Sequence, residues 1–206
     1  MTVDSKSVKD LRSRTGAGIM DCKEALVESK GDVDAAIDYL RKKGTAKAAK
    51  KSSRTADQGV VHSYIHPGSR IGVLVEVKCE TDFVAKTDGF TQFAKDIAMQ
   101  IAATNPLAVN KDNLNSNIIE REKEIYKEQA KQLNKPDNVL DKIVEGKLDK
   151  FFQESCLLEQ PFIKDSDKTI KDILTETIAT VGENITIGRF SRFEVGEGSS
   201  SSNGQL

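Results

Sequence analysis

Residues 71–86 read IGVLVEVKCETDFVAK and contain the features on which the predicted fold depends. Within residues 71–79 every odd position is apolar, whereas the even positions include Glu76 and Lys78. This alternation predicts a β-strand that buries one face in a core. Phe83 follows the strand, where the chain must turn into a helix. A large apolar side chain at such a turn either completes the core or enters the pocket of a partner, and the pattern leaves both interpretations open.

Length and composition limit what the chain can be. With 206 residues, of which 37% are hydrophobic and 31% charged, it can form one medium-sized core and a small accessory module. No apolar run approaches the roughly 18 residues of a membrane span and no signal peptide opens the sequence, so no membrane association is expected. The scattered cysteines, Cys22, Cys79 and Cys156, match reduced thiols in a cytosol-like compartment. A net charge of −1 does not favour direct binding to nucleic acid.

Residues 1–44 are predicted to form a bundle of three short helices. Asp4 or Ser5 can cap the first helix, a glycine-containing break follows at residues 15–18, and Asp32 can cap the third helix. Helices this short bury little apolar area, so the core of the bundle is marginal. The order of helices and glycine loops resembles a ubiquitin-associated (UBA) bundle, a type of module that usually binds the surface of a partner. A passive N-terminal module is the alternative.

Residues 45–57 are predicted to be a basic linker. The stretch from Arg41 to Arg54 contains seven basic residues and no acidic one. These side chains could contact phosphates, but the stretch has no aromatic residue on which a base could stack. Because its alanines favour helix and nothing large anchors it, a solvated and partly helical linker is favoured over nucleic-acid binding.

Residues 58–196 are predicted to form an α+β core. A hairpin over residues 58–80 turns at residues 66–69, and a last strand at about 185–195 can pair with it. An amphipathic helix that begins at Asp88 can cover the apolar face of this sheet.

Charged helices over residues 116–156 are predicted to form an inserted antiparallel helical hairpin around a turn at Pro136. The chain then returns to the core, and a further helix is predicted from about Lys168 to Thr180. The serine-rich residues 197–206 are predicted to be a disordered tail.

The sequence lacks the motifs of common catalytic and metal sites. It has no P-loop pattern, so a nucleoside triphosphate site of that kind is not expected. His62 and His66 share a strand face, but no carboxylate or cysteine nearby completes a metal-ligand set. The cysteines have no paired histidine at a catalytic spacing. We therefore expect no cofactor, no metal and no enzymatic activity.

Several motifs, in a fixed order, resemble those of the translation elongation factor Ts family. Residues 11–26 read LRSRTGAGIMDCKEAL and residues 80–85 read ETDFVA, which are similar to the two signatures of that family. Further similarities are SYIH at residues 63–66, RIGVLV at 70–75, QPF at 160–162 and RFEVGEG at 192–198. Ile19 stands where the family often has methionine, a conservative change. The chain resembles the short form found in cyanobacteria and plastids, which has one core unit where longer members have two.

The resemblance implies a nucleotide exchange factor for the GTPase elongation factor Tu, located in the cytoplasm or in the plastid stroma. Asp82 and Phe83, flanked by Thr81 and Val84, would push in beside the nucleotide and its magnesium ion. The N-terminal bundle would dock on the GTPase domain.

Within that bundle, Arg12, Ile19 and Met20 are expected on or beside the docking face, and Leu11 and Leu26 in the core. Because the chain has one core unit, a homodimer is expected to rebuild the double core of longer members. In such a dimer His66 would reach the GTPase bound mainly by the opposite subunit.

Two other classes of function compete with this interpretation. One is a UBA-type adaptor with an unrelated core that contacts RNA through the stretch from Arg41 to Arg54; its binding would persist without Phe83 and fall steeply with salt. The other is an enzyme that uses Cys79, whose activity would be lost on thiol alkylation.

Overall fold

The structure, a computed structural model, describes residues 4–132 and 136–197 and has the predicted α+β class. Along the chain the elements are α1 (Ser5–Thr15), α2 (Ile19–Glu28), α3 (Val33–Lys51), β1 (Gln58–Ile65), β2 (Ile71–Cys79), α4 (Asp82–Ala85), α5 (Asp88–Thr104), α6 (Ser116–Lys131), α7 (Asp137–Ser155), β3 (Pro161–Phe162), β4 (Asp165–Thr169), α8 (Ile170–Val181) and β5 (Thr186–Glu194). A small antiparallel sheet has the strand order β1–β2–β5, and β3 pairs with β4. In the part of the chain that is described, no helix combines the length and the apolar composition needed to cross a membrane.

The chain divides into two compact units, which are described separately. The first unit comprises Met1–Val60, Val77–Ala94 and Asp172–Thr186, and the second comprises Val61–Glu76, Lys95–Lys171 and Ile187–Leu206. The predicted division into residues 1–44, 45–57 and 58–196 stays a prediction. Most of the predicted tail, residues 198–206, lies outside the described residues.

The three predicted N-terminal helices are present as α1, α2 and α3. Gly16 ends α1 with φ 67°, a left-handed conformation that favours glycine. Asp32 caps α3 as predicted, because its carboxylate accepts hydrogen bonds from two backbone N–H groups of the first turn. The bundle has a core of small and medium side chains: Val8, Leu11, Cys22, Ala25, Leu26 and Ala36.

Helix α3 extends further than the predicted linker boundary. Its end at Lys51 makes residues 45–51 helical, and Ala48 in this extension is buried. Gly44 is also buried, and a Cβ added there would lie 3.3 Å from the Cβ of Ala179 in α8. The close approach of α8 explains why a glycine stands inside a helix, where it otherwise costs about 1 kcal/mol relative to alanine.

Strand β2 has the predicted bounds and the predicted alternation. Its odd positions Val73, Val75, Val77 and Cys79 are at most 2% exposed. The amphipathic helix α5 also has its predicted extent, and the apolar positions predicted to face the sheet are buried: Phe90, Phe93, Ala94, Ile97, Ala98, Ile101 and Ala102. The odd-numbered face of β2 and the apolar face of α5, both predicted to lie in the core, are therefore buried.

The predicted helical hairpin is present as α6 and α7, although the turn at residues 133–135 lies outside the described residues. The ammonium of Lys147 in α7 donates a hydrogen bond to Gln129 at 2.5 Å and lies 5.5 Å from the centre of the Tyr126 ring. Near the base of the hairpin, a small cluster buries Ala108, Leu114 and Cys156.

The strands β3 and β4 were not predicted, and α8 begins at Ile170 instead of about Lys168. The β4 sequence, Asp165–Thr169, contains no apolar residue, so it shows no alternation. Its partner strand is held by a buried amide. Gln100 donates to the carbonyl oxygen of Pro161 at 3.1 Å and accepts from the N–H of Ile163 at 2.9 Å. Contacts between distant residues create this hairpin, and local periodicity does not report them.

Gly59 in β1 provides a test of the fold. Its φ is +147°, and an added Cβ would lie 2.1 Å from the carbonyl oxygen of Val77. Because backbone atoms cannot move aside as a flexible side chain can, we predict that Gly59→Ala lowers the free energy of unfolding by about 2–4 kcal/mol. Chemical denaturation followed by circular dichroism measures this change.

Gly146→Ala in α7 is the matched control. No atom lies within 4 Å of a Cβ added at Gly146, so this substitution should stabilise the protein by about 0.5–1 kcal/mol. Equal effects of the two substitutions would contradict the close packing of β1 against β2 at Gly59.

Candidate functional site

Phe83 follows the buried strand β2, and its side chain is the most exposed of the large apolar side chains in the described residues. It lies in α4, a single helical turn, with 81% of its surface exposed, whereas Ala85 in the same turn is 7% exposed. Side chains two positions apart in a helix point about 200° away from each other. Because Ala85 points into the protein, Phe83 points outward. The interpretation of Phe83 as a core residue is therefore wrong.

Thr81 fixes the start of this turn. Its hydroxyl oxygen accepts a hydrogen bond from the N–H of Val84 at 3.4 Å, the bond of an N-cap. The thiol of Cys79 donates to the carbonyl oxygen of Thr81 at 3.1 Å. Thr81, and not Asp82, therefore holds the N-cap position of α4.

Asp82 instead pairs with a lysine one helical turn later. Lys86 donates to the Asp82 carboxylate at 2.7 Å, and this hydrogen bond lowers the pKa of that carboxyl. Asp82 is therefore an exposed, ionised group next to the exposed Phe83 ring. Val84, on the other side of Phe83, is half-buried.

Two carboxylates hold the backbone that leads into the turn. The carboxylate of Glu183 accepts hydrogen bonds from the N–H of Glu80 at 3.1 Å, the N–H of Thr81 at 3.0 Å and the hydroxyl of Thr81 at 2.7 Å. In return, the carboxylate of Glu80 accepts from the N–H of Asn184 at 2.6 Å. We call these four residues, Glu80, Thr81, Glu183 and Asn184, the carboxylate clasp.

Sequence analysis did not identify Glu183 or Asn184. They are more than 100 residues from their partners in the chain, with a separation of 102 between Thr81 and Glu183. The local pattern, a glycine after a helix followed by two polar residues, is typical of any helix end. The sequence contained no signal that could have paired these residues with the Phe83 turn.

The N-terminal bundle separates its predicted docking residues from its core residues. Met20 is 73% exposed, Ile19 is 54% exposed and Arg12 is also exposed, whereas Leu11 and Leu26 are fully buried. The core assignment of the two leucines is confirmed. The exposed side chains of Ile19 and Met20 form an apolar surface at the start of α2.

Ion pairs from α3 hold the start of α2 in place. Asp21 accepts from Lys47 at 2.8 Å and lies 3.0 Å from the ammonium of Lys43. These partners, Lys47 first, lower the pKa of the Asp21 carboxyl. Lys43 also donates to Glu24 at 2.6 Å, which raises the pKa of Lys43 to about 12. The residue next to Met20 is therefore fixed by two lysines of the neighbouring helix.

His66 belongs to the second unit and lies in the turn between β1 and β2. It is exposed, and its Nδ1 shares a hydrogen bond of 3.1 Å with the Tyr64 hydroxyl. The N–H of His66 donates to the carbonyl oxygen of Ile71 at 2.9 Å, which closes the hairpin. The ring is therefore held at the surface by its neighbours.

One face of the sheet in the second unit carries exposed apolar side chains. A Cβ added at Gly72 would lie 3.1 Å from Cδ1 of Ile65, so Ile65 lies over the even-numbered face of β2. Arg189 pairs with Glu76 at 3.5 Å, which places Arg189 on this same face, and Phe193, four residues further along β5, lies on it too. What we call the open sheet face consists of Val61, Ile65, Leu74 and Phe193, each between 48% and 69% exposed.

The cysteines show none of the features of reactive thiols. Cys22, Cys79 and Cys156 are all buried, and burial raises the pKa of the Cys79 thiol. Among the described residues there is also no group of three or more His, Cys, Asp or Glu side chains that could hold a metal ion.

Comparison with known proteins gives one consistent result. The family model described as Elongation factor TS matches residues 20–197. The chain belongs to the elongation factor Ts family. It is 62% identical over 196 residues to elongation factor Ts of Syntrophomonas wolfei, covering 95% of this chain and 92% of that protein. Two similar relatives are those of Geotalea daltonii, 57% identical over 198 residues (96% and 92% covered), and Caldanaerobacter subterraneus, 59% identical over 196 residues (95% and 98% covered).

Membership of the elongation factor Ts family confirms the resemblance seen in the sequence. It implies a nucleotide exchange factor for elongation factor Tu in translation elongation, and not a catalyst of a chemical reaction. The relatives named here are bacterial, and none of them supports the plastid location.

Proposed function

We propose that this chain releases GDP from elongation factor Tu by inserting Phe83 and Asp82 beside the nucleotide and its magnesium ion, which allows GTP to reload. The observation that carries the proposal is the 81% exposed ring of Phe83 on a capped and anchored turn. We place this activity in the cytoplasm of a bacterium, in keeping with the bacterial relatives.

Nucleotide release of this kind requires displacement and no catalytic group. A phenylalanine offers a large apolar area with only two rotatable bonds, so little entropy is lost when it inserts. Mg²⁺ demands near-ideal octahedral geometry, so a small displacement of its ligands weakens its hold on GDP. The carboxylate of Asp82, paired with Lys86, lies exposed beside the ring. By linkage, a factor that binds nucleotide-free elongation factor Tu more tightly weakens GDP binding by the same ratio.

The exposed start of α2 supports docking through the N-terminal bundle. Met20 is unbranched and polarisable, so it can adapt to an apolar groove, and Ile19 extends the same surface. Arg12, exposed on α1, adds a positive charge to the proposed docking face. Thr81 and Val84 complete the contact region in this proposal, Thr81 by capping the turn and Val84 by flanking the ring.

The RNA-binding adaptor is the weaker alternative. Several basic side chains of the stretch from Arg41 to Arg54 are already engaged within the protein. Lys43 and Lys47 pair with Asp21, and Arg54 lies 3.5 Å from the carboxylate of Glu80. An enzyme based on Cys79 is disfavoured because that thiol is buried and its pKa is raised.

A homodimer that buries the open sheet face is part of the proposal. Apolar side chains across one face of three strands are typical of an interaction surface, and two-fold pairing makes one surface self-complementary. In this arrangement Phe83 acts on the elongation factor Tu bound by its own subunit, and His66 reaches the one bound mainly by the opposite subunit.

The Phe83 proposal is tested by Phe83→Ala. Removing an anchor aromatic from an interface costs about 2 kcal/mol or more, so GDP release at subsaturating concentration should fall about 30-fold. Thermal unfolding should change little, because the ring is exposed. Release of fluorescent GDP from elongation factor Tu, recorded by stopped flow, measures the rate.

Ile125→Ala is the control for Phe83→Ala, because Ile125 is an exposed apolar residue of the helical hairpin. It should leave the exchange rate unchanged. Stimulation by Phe83→Ala equal to that of the wild type would rule out the wedge.

Docking by the bundle is tested by Ile19→Ala combined with Met20→Ala. The pair should weaken binding to nucleotide-free elongation factor Tu by about 2 kcal/mol without lowering the melting temperature. Calorimetric titration measures the affinity. Leu11→Ala is the opposite control, since it should destabilise the bundle by about 2–5 kcal/mol. Unchanged affinity of the double variant would refute the docking role.

The dimer is tested by Leu74→Glu, which places a charge on the open sheet face. Light scattering should give the mass of a dimer for the wild type and of a monomer for the variant, because burying an unpaired carboxylate is unfavourable. Ile163→Glu, a charge at an exposed apolar residue outside this face, should leave the dimer intact. A monomeric wild type, alone and with elongation factor Tu, would exclude the dimer.

The proposed dimer also predicts that two inactive variants restore activity when their subunits are mixed. Mixing His66→Ala subunits with Phe83→Ala subunits creates mixed dimers in which one site keeps both residues. Partial exchange activity should therefore return on mixing. No gain over the separate variants would show that His66 does not act across the dimer.

A further inference from the structure

We propose that Glu183 is the positioning residue of the exchange reaction, the group that holds the 80–84 turn so that Phe83 points at the GTPase. This inference rests on the proposed role of Phe83 and assigns that role a partner on a distant loop. Glu183 itself need not touch elongation factor Tu. It acts through the backbone that carries Phe83.

Glu183 accepts hydrogen bonds from backbone N–H groups that have no strand partner at the end of β2. Where β2 ends, the N–H groups of Glu80 and Thr81 have left the ladder of the sheet and need acceptors. One oxygen of Glu183 accepts both, at 3.1 Å and 3.0 Å. An ionised carboxylate accepts such bonds more strongly than a neutral group does. The direction of the chain between β2 and α4 is therefore set by this side chain.

The second oxygen of Glu183 controls the cap of α4. It accepts the hydroxyl proton of Thr81 at 2.7 Å, which leaves the lone pairs of that oxygen free to accept from the N–H of Val84. A hydroxyl has a single proton, so directing that proton toward Glu183 leaves the lone pairs of the Thr81 oxygen directed toward the N–H of Val84. Glu183 thereby orients the first turn of the helix that contains Phe83.

The loop that carries Glu183 is itself anchored within the first unit. Gly182 takes φ +86° at the end of α8, and its N–H donates to the carbonyl oxygen of Ile178 at 2.9 Å. The ammonium of Lys51, the last residue of α3, donates to the carbonyl oxygen of Gly182. Asn184 is 3% exposed and donates from its side chain to the carbonyl oxygen of Arg54 at 2.7 Å.

These hydrogen bonds also connect the loop at residues 182–184 to the end of α3. Lys51 and Arg54 lie at and just after the end of α3, the helix whose lysines hold the start of α2. The loop at residues 182–184 thus joins the docking bundle to the Phe83 turn through hydrogen bonds. Loss of Glu183 should free the turn and leave the docking surface unchanged.

The test compares graded variants of Glu183. Glu183→Ala removes all three accepted bonds, so amide hydrogen exchange at Glu80 and Thr81, followed by NMR, should accelerate at least about tenfold. Stimulated GDP release should fall about tenfold at subsaturating concentration. Glu183→Gln keeps one oxygen for the two N–H groups but cannot accept the Thr81 hydroxyl proton with its amide nitrogen, so it should be intermediate. Glu145→Gln, on the exposed side of α7, is the matched control and should behave as the wild type.

A combination with Phe83→Ala separates positioning from a general structural effect. If Glu183 acts by presenting Phe83, Glu183→Ala should cause no further loss of exchange in the Phe83→Ala background. An equal loss in both backgrounds would overturn the proposal, and so would unchanged amide exchange at Glu80 and Thr81. Circular dichroism at the assay temperature checks that each variant is folded.

The outcome also distinguishes this proposal from the proposed function. If Phe83→Ala alone exchanged nucleotide as the wild type does, the wedge would fail. The amide exchange rates of Glu183→Ala would still decide whether Glu183 holds the turn. If Phe83→Ala were defective but Glu183→Ala freed the turn without slowing exchange, the wedge would stand and the positioning role would be overturned.

Discussion

The carboxylate clasp is the interaction on which the candidate site depends. An exposed aromatic ring can act on a partner only if the backbone beneath it is fixed, because a mobile ring loses entropy when it binds. Here the backbone at residues 80–81 is fixed by bonds to a carboxylate from a loop about a hundred residues away. Hydrogen bonds to charged groups each contribute about 1.5–3 kcal/mol, which is ample to order a short turn.

The rest of the first unit supports this clasp. Val77 and Cys79, at the end of β2, are buried, and the thiol of Cys79 makes the next contact, with the Thr81 carbonyl. The single helical turn that follows buries Ala85 and therefore exposes Phe83. The exposed ring is thus a consequence of packing on either side of it. Its exposure has no apparent use within the chain, which is why we relate it to a partner.

The sequence correctly predicted those elements that depend only on neighbouring residues. The bounds of β2 and α5, the three N-terminal helices and the helical hairpin all follow from apolar spacing, caps and breaks. The family signatures identified the Phe83 turn, but the strand pattern alone could not decide whether Phe83 was buried. Its exposure depends on the packing of Ala85.

Features that depend on distant partners were not predicted. Strand β4 has no apolar residue and exists because of its pairing with β3, near the buried amide of Gln100. The stretch after residue 44 was predicted to be partly helical, but the burial of Gly44 and Ala48, with α8 close to Gly44, was not predicted. The cap of α4 is Thr81, oriented by Glu183 from the other end of the chain. Each of these depends on the fold that the local elements build together.

The proposed exchange activity is tested by the rate of GDP release from elongation factor Tu in the presence of the unmodified chain. Elongation factor Tu loaded with fluorescent GDP would be mixed in a stopped-flow instrument with excess unlabelled nucleotide and increasing amounts of the chain. The release rate should rise with the concentration of the chain and then saturate, as expected when a ternary complex loses its nucleotide. A release rate that does not change with concentration, in a sample where the chain binds elongation factor Tu, would show that the chain is not an exchange factor for it.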